Sequence, residues 1–215
     1  MPEPSTLVVF LGATLLLLVI PGPAVLYIVT RSVTQGRKAG LVSVLGIHLG
    51  TLVHIAAAVA GLSALIAASA TAFTVVKLAG AGYLIYLGMM AFRSAGKQEH
   101  LSGLAPMSTR RIFWQGAVVN ILNPKTALFF LAFVPQFIDP TLGSPALQLA
   151  VLGGVFILAG LVSDSTYAVV AGAAGTRLLG TASWRRGQSY VAGTIYTGLG
   201  VAAAFTGGSD TAPRW

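Results

Sequence analysis

The sequence predicts an all-α, polytopic membrane protein with six transmembrane helices. Of its 215 residues, 55% are hydrophobic and only 8% are charged, whereas roughly a quarter of the residues of a soluble domain are charged. Six apolar stretches with few or no charges are each close to or above the ~20 residues that a helix needs to cross the hydrocarbon core. The chain has no cysteine, which excludes disulfides, iron–sulfur clusters, thiolate metal sites and cysteine nucleophiles.

The six spans follow one another with little chain left over for a soluble domain. The first is interpreted as an uncleaved span, because the residues before it lack the positive charge of a signal peptide. The second and third form a tight hairpin, and a polar loop with two glycines and a proline, Arg93–Arg111, precedes the fourth. This loop divides a single transmembrane domain, residues 1–215, into halves of about 1–100 and 101–215. The predicted spans are Ser5–Val29, Ala39–Ser69, Ala72–Phe92, Ile112–Ile138, Ala146–Ala174 and Gln188–Gly208.

The formal net charge of +8 indicates membrane topology rather than nucleic-acid binding. Ten of the thirteen Lys and Arg residues lie in alternate loops, whereas the opposite side offers a single arginine near the C-terminus. Because short cytoplasmic loops carry the excess of positive charge, both termini are predicted to be periplasmic. No groove-reading pattern accompanies the basic residues, so we expect no nucleic-acid partner. The ten residues are Arg31, Arg37, Lys38, Arg93, Lys97, Arg110, Arg111, Arg177, Arg185 and Arg186.

Three spans on each side of the Arg93–Arg111 loop give the two halves opposite orientations in the membrane, as inverted repeats do. The halves share a Gly-x-x-Tyr pattern, at Gly80–Tyr83 in span 3 and Gly193–Tyr196 in span 6. Spans 1 and 4 are both interrupted by proline. We therefore expect two inverted three-helix repeats.

The proline interruptions predict a binding site deep in spans 1 and 4. The prolines of one interruption remove two backbone donors from span 1, and their rings clash with carbonyls a turn earlier. A lone proline in a membrane helix can be a benign kink, but paired breaks in corresponding spans direct positive half-helix ends inward and leave unwound carbonyls for a cation. A small amphoteric solute, which carries a negative and a positive group, fits both the half-helix ends and the unwound carbonyls. The predicted solute-binding residues are Pro21, Gly22, Pro23, Asn120, Asn123, Pro124 and Lys125.

Asp164 is the only carboxylate inside any predicted span. A charge in the bilayer core costs at least about 2.5 to 3.5 kcal/mol unless it is paired, hydrated or protonated. Counted along the helices, Asp164 and Lys125 lie at comparable depth, so we expect them to meet. Two interpretations are open: a buried ion pair that fixes helix register, or a role for Asp164 in solute or proton handling. Lys77, near the outer end of span 3, is expected to extend to the headgroups.

Span 2 contains two histidines, and one of them is a second titratable group deep in the membrane. His48 is predicted to belong to a proton path with Asp164, and a hydrogen-bonded packing histidine is the alternative. His54 lies six residues on, about 120° around the helix, so the two do not form a metal pair. The Gly46-x-x-x-Gly50 pattern favours close helix packing over solute contact.

The arrangement of the candidate catalytic residues argues against an enzyme. Ser163, Asp164 and His48 supply the side-chain types of a serine hydrolase, but adjacent residues point about 100° apart on a helix. The chain also lacks a Gly-x-Ser-x-Gly elbow. A metal transporter needs several converging acidic, thiol or imidazole ligands, and only Asp164 and His48 are available at depth. We therefore expect no catalytic residues and no bound metal.

A set of motifs resembles the lysine-exporter (LysE-type) translocator family, which includes homoserine and threonine exporters. The resemblance covers spans 1 to 4 and extends more loosely to Asp164 and Tyr167 in span 5 and to residues 193–200 in span 6. The motifs are Pro21-Gly22-Pro23, Lys77-x-x-Gly80-x-x-Tyr83-Leu84-x-x-Leu87-Gly88, Phe113-x-x-Gly116-x-x-x-Asn120-x-x-Asn123-Pro124-Lys125, Phe129-Phe130 and Pro135-Gln136-Phe137.

The resemblance implies a multi-pass secondary transporter of the bacterial inner membrane that exports amino acids or close derivatives by proton antiport. The expected partners are a small amino-acid solute, protons and membrane lipid. A homo-oligomer is compatible with the sequence, and no cofactor is expected. The alternative from another class is a membrane-embedded enzyme or a lipid-phosphate translocase that acts within the bilayer.

Overall fold

The computed structural model describes residues 2–68 and 106–174, together with isolated helical positions between 75 and 93 and between 190 and 201. All regular secondary structure in these residues is helical, which confirms the all-α prediction at that level. Most of the third and sixth predicted spans lies outside the described residues. Lys77 and both Gly-x-x-Tyr patterns, Gly80–Tyr83 and Gly193–Tyr196, lie outside them too.

Six α-helices are described. The fifth continues without interruption into a π-helical turn, Phe129–Phe133, and a 3-10 turn, Val134–Phe137, and a second 3-10 turn, Pro140–Leu142, precedes the sixth. The α-helices are α1 (Pro4–Val19), α2 (Pro23–Gln35), α3 (Arg37–Ala68), α4 (Thr109–Ile121), α5 (Pro124–Leu128) and α6 (Pro145–Ala174).

Two straight helices are long and apolar enough to cross a membrane. In α3 the qualifying stretch is Arg37–Gly61, with a mean hydropathy of 1.9, and in α6 it is Pro145–Ala173, with 2.2. At about 1.5 Å per residue, both exceed the ~30 Å of the hydrocarbon core. Two bent helix pairs raise the number of candidate spans in the described part of the chain to four. These spans correspond to the first, second, fourth and fifth predicted ones.

The bent pairs confirm the predicted breaks in spans 1 and 4. The axes of α1 and α2 differ by 53°, and those of α4 and the Pro124–Phe137 segment differ by 48°. The second helix of each bent pair, α2 or α5, has a proline in its first turn. At that position the missing N–H removes no helical hydrogen bond. The Asn123 side chain accepts from the Lys125 amide at 3.1 Å and so caps α5. Each break is therefore the start of a new helix as well as the end of an old one.

The predicted end of span 1 at Val29 is wrong. The helix continues to Gln35 and ends at Gly36, whose φ of 85° is readily adopted only by glycine. Arg31, predicted to lie in the connecting loop, is instead a buried helical residue that donates to Gln35 and Gln115. Its two terminal nitrogens thus donate to polar partners inside the protein, whereas Nε is buried without a hydrogen-bond partner among the described residues.

Close packing of α3 on α4 brings the break in span 4 against span 2. A Cβ added to Gly46 would collide with the Phe113 carbonyl, and one added to Gly50 would lie 2.8 Å from both the Ala117 carbonyl oxygen and the Asn120 Cβ. The predicted packing role of the Gly46 and Gly50 pair is confirmed, because these two glycines let the backbones approach.

Aromatic rings fill one end of the bundle. Phe129 stacks on Phe133 with centroids 5.1 Å apart, and Phe10 and Phe156 pack against Phe129 at 5.9 and 5.1 Å. We refer to this group as the phenylalanine cluster. Its members are Phe10, Phe129, Phe130, Phe133, Phe137 and Phe156.

Candidate functional site

A small cavity lies where the two broken spans meet α3 and α6. The space open to the centre of a water molecule is about 30 Å³, which corresponds to about two water molecules and is too little for an amino acid. Four of the seven predicted solute-binding residues line the cavity, as do both predicted proton-coupling residues. The polar and glycine lining consists of Gly22, His48, Thr51, Asn120, Asn123, Lys125, Thr126 and Asp164.

The three prolines of the predicted site do not line the cavity. Pro23 and Pro124 are exposed on the protein surface, and Pro21 is partly buried. Their contribution is to break the helices. A proline offers no N–H to the carbonyl four residues before it, so Pro21 deprives the Leu17 carbonyl of its usual donor and Pro23 deprives that of Val19. The Leu17 oxygen accepts from the Ile20 amide instead, at 3.2 Å.

Side chains from two other helices donate to these carbonyls. Lys125 Nζ donates to the Leu17 oxygen and to the Ile20 oxygen, both at 2.8 Å. Tyr167 Oη donates to the Val19 oxygen at 2.8 Å. The end of α1 is thus bound to α5 by an ammonium group and to α6 by a hydroxyl group. An ammonium group at a helix C-terminus also interacts favourably with the helix dipole.

Asp164 pairs with His48, and this corrects the expectation that it meets Lys125 directly. His48 Nε2 lies 3.2 Å from Asp164 Oδ2, and both side chains are buried, at 6% and 4% exposure. Lys125 lines the same cavity and interacts electrostatically with Asp164, but its amine is directed to the carbonyls at the end of α1. Sequence spacing indicated that these groups lie at a similar level, in keeping with the cavity they share, but it could not give the rotation of each helix.

A glycine makes the His48–Asp164 contact possible. Gly160 lies one turn before Asp164 on α6, and a Cβ added there would be 2.6 Å from His48 Cε1. The imidazole therefore occupies the space that any larger residue would fill. Both ring nitrogens of His48 are buried and neither forms a hydrogen bond within the described part of the chain, so the 3.2 Å contact of Nε2 with Asp164 does not have hydrogen-bond geometry. One ring nitrogen thus faces a carboxylate while the other is available to a proton or a water molecule.

Asn120 connects the break in span 4 to α3. Its amide group donates to the Ile47 oxygen at 2.8 Å and to Thr51 Oγ1 at 2.9 Å. Its side-chain oxygen accepts from Asn123 Nδ2 at 3.2 Å and from Thr126 Oγ1 at 3.0 Å. This network fixes the position at which the helix stops and restarts.

His54 has a structural contact. Its Nε2 lies 2.8 Å from the main-chain oxygen of Asn120, a carbonyl in the last turn of α4. Within the described part of the chain, no group of three or more His, Cys, Asp or Glu residues could hold a metal ion.

Sequence reasoning missed several residues of this region. Thr51 and Thr126 line the cavity without having been singled out, and Tyr167 was named only as part of the family resemblance, with no donor role. The prolines offered a signal for Tyr167 and Lys125, because each orphaned carbonyl needs a donor from elsewhere in a membrane. Nothing in the spacing identified which side chain would supply it.

Polar contacts close the bundle beyond the cavity, at the end opposite the phenylalanine cluster. Tyr27 Oη donates to the Ile112 oxygen at 2.9 Å, and Arg31 donates to Gln115 at 3.3 Å. Gln35 forms two hydrogen bonds with the backbone of Met107, at 2.9 and 3.1 Å. We refer to these contacts as the polar latch. Its members are Tyr27, Arg31 and Gln35 on α2, with Met107, Ile112 and Gln115 around the start of α4.

Comparison with known proteins places this architecture in a family. The model of the "LysE type translocator" family matches residues 15–207. The chain is 36% identical over 163 residues to the homoserine/homoserine lactone efflux protein of Salmonella typhimurium (strain LT2), covering 75% of this chain and 78% of that protein. It is 35% identical, with the same coverage, to the homoserine/homoserine lactone efflux protein of Salmonella typhi.

A third relative is the uncharacterized membrane protein YrhP of Bacillus subtilis (strain 168), which is 33% identical over 162 residues, covering 71% of this chain and 77% of that protein. No solved structure matches the chain. The family match extends over most of the sequence, including both helix breaks and all residues that line the cavity. The chain therefore belongs to the LysE type translocator family.

Proposed function

We propose that the protein is a secondary transporter that exports amino acids or close derivatives across the bacterial inner membrane by proton antiport. The solute is held in the cavity between the broken spans, and the His48–Asp164 pair carries the coupling proton. The observation that supports this proposal is the burial of that pair, with its 3.2 Å contact, in a cavity shared with the breaks. A lone buried carboxylate with a titratable partner is the usual element of a proton relay in membranes.

The solute class follows from the relatives. Their names include homoserine and homoserine lactone. These two compounds share an α-amino group, whereas only homoserine has a free carboxylate. A small amino acid or amino lactone of this kind is the proposed solute. The group that a common site must recognise is then the ammonium, and the carboxylate is optional.

The cavity in this structure represents a closed conformation. Its volume of about 30 Å³ does not admit the solute, so one end of the bundle must open for loading and the other for release. The phenylalanine cluster and the polar latch are the two ends. Hinges at the breaks, around Gly22 and Asn123, suit such movement because the helices are already interrupted there.

We propose the six-helix, inverted-repeat arrangement for the complete domain, with halves of about 1–100 and 101–215. The matching breaks support it, because α1 with α2 and α4 with α5 are the first spans of the two halves and both restart at a proline. The apolar side chains exposed on the described helices, such as Val8, Leu158 and Val162, suit contact with lipid.

We also propose that both termini are periplasmic. Single cysteines introduced at Ser102 and Ser144 into this cysteine-free chain test the orientation. A membrane-impermeant thiol reagent added to intact cells should label the cysteine at 144 and leave the one at 102 unlabelled. Labelling of the cysteine at 102 under these conditions contradicts the topology.

Transport by proteoliposomes tests the function. Purified protein should transport labelled L-homoserine or another member of an amino-acid panel, faster with an imposed pH gradient. Asp164→Asn keeps the shape of the side chain and removes its titration, so gradient-driven transport should be lost while solute exchange without a gradient persists. His48→Asn should behave in the same way. Gradient-driven transport by Asp164→Asn at the rate of the wild type rules out the coupling role.

A further inference from the structure

The carbonyl oxygens of Leu17 and Ile20 form a compact acceptor for a cation. They lie at the end of α1, where the helix dipole places partial negative charge, and Pro21 removes the usual donor of one of them. Both oxygens are 2.8 Å from a single Lys125 nitrogen, which is the distance of a charge-assisted hydrogen bond. The pair is therefore spaced for one ammonium group.

We propose that these two carbonyls are the subsite for the primary ammonium group of the solute, and that Lys125 fills the subsite with its own ammonium group while the transporter is empty. This inference rests on the proposed function and specifies how its solute is recognised. Lys125 has a flexible four-carbon stem, and it lines the cavity together with Leu17. It can withdraw without movement of α5.

Few other acceptors for a cation line the cavity. Asp164 is already in contact with His48, and the Asn120 side-chain oxygen already accepts two hydrogen bonds. The Leu17 and Ile20 oxygens already accept from the ammonium group of Lys125. An incoming ammonium group therefore replaces a group of the same charge and hydrogen-bonding type. The exchange leaves no carbonyl unsatisfied.

The displaced Lys125 ammonium group can move to the Asp164 carboxylate. Asp164 lines the same cavity and attracts Lys125 electrostatically. There it competes with His48 for the same carboxylate once the solute is bound. An arriving ammonium thereby loosens His48 from Asp164, although the solute does not contact that pair.

Vacating the subsite tests the proposal without any transport assay. Lys125→Ala removes the resident ammonium, so methylammonium chloride should bind there and raise the thermal unfolding temperature of the purified variant. At about five times the dissociation constant we expect a rise of about 2 to 4 °C. Tetramethylammonium has no N–H donor and should give no rise, and sodium chloride controls for ionic strength.

The matched control is Lys38→Ala, which removes an exposed lysine far from the cavity along α3. Neither this variant nor the wild type should be stabilised by methylammonium. Lys125→Ser also vacates the carbonyls, and serine suits the first turn of a helix, so it replaces Lys125→Ala if that variant does not fold. Equal responses of the Lys125 and Lys38 variants to methylammonium overturn the subsite.

A solute comparison separates this inference from the proposed function. Wild-type proteoliposomes should transport L-homoserine and L-homoserine lactone but not N-acetyl-L-homoserine, which lacks the ammonium group. Equal transport of the acetylated compound overturns the ammonium subsite and leaves the exporter function intact. Stabilisation of Lys125→Ala by methylammonium without transport of any amino acid contradicts the proposed function and leaves the subsite standing.

Discussion

Replacing Asn120 by alanine should destabilise the protein more than any other single polar substitution at the break in span 4. The Asn120 side chain makes four hydrogen bonds, two as donor and two as acceptor, and is only 1% exposed. In membrane proteins such bonds contribute about 0.6 kcal/mol each on average. The four together then amount to about 2.4 kcal/mol, and to about 6 kcal/mol at the upper value of ~1.5 kcal/mol for each bond.

The comparison variant is Thr126→Val, which keeps the side-chain shape and removes only the hydroxyl that donates to Asn120. This substitution should lower the free energy of unfolding by about 0.6 kcal/mol, the average value for one such hydrogen bond. Equilibrium unfolding of both purified variants in detergent by denaturant gives the two free energies directly. The thermal midpoint of Asn120→Ala should fall by about 5 to 10 °C, at ~2–4 °C per kcal/mol for a chain of this size.

The contact between His54 and the main-chain oxygen of Asn120 does not involve the Asn120 side chain and survives the substitution. The loss therefore reports the side-chain network alone. If Asn120→Ala costs no more than Thr126→Val, the network does not hold the break against α3, and the reasoning that assigns it this role is wrong.

Two further predictions use the glycines. Gly160→Ala places a methyl group against the His48 ring and should reduce gradient-driven export about tenfold, as for a loss of ~1.4 kcal/mol in the contact with Asp164. Gly154→Ala, with open space around its Cβ, should export normally in the same proteoliposome assay. Gly46→Ala forces α3 away from α4 and should cost about 1–3 kcal/mol in denaturant unfolding. Gly61→Ala, with no neighbour within 4 Å of its Cβ, should not destabilise the protein.

The breaks in spans 1 and 4 could be predicted because proline acts locally. A missing N–H and a ring clash at Pro21 or Pro124 disturb the helix whatever surrounds it. The depth of Asp164 and His48 could be predicted for a similar reason, since rise per residue is a property of one helix. The close contact of α3 with α4 also followed from the small residues at Gly46 and Gly50.

The pairings across the cavity could not be predicted, because they depend on how helices distant in sequence are rotated against one another. Asp164 contacts His48 and not Lys125 since α3 approaches α6 at Gly160, and no local pattern fixes that approach. The role of Arg31 was hidden in the same way. Its sequence position suggests a loop, whereas in the structure it is buried with hydrogen bonds to Gln35 on its own helix and to Gln115 on a neighbouring one.

The two ends of the cavity are closed by different kinds of contact, and opening them carries different free-energy costs. The hydrogen bonds of the polar latch can be exchanged for hydrogen bonds to water at little net cost. Parting the rings of the phenylalanine cluster exposes apolar surface at roughly 25 cal/mol for each Å². If both termini are periplasmic, as we propose, the latch faces the cytoplasm and the aromatic rings face the periplasm. Under the proposed export cycle, opening for loading then costs less free energy than opening for outward release, and the ion gradient would supply energy for the release step.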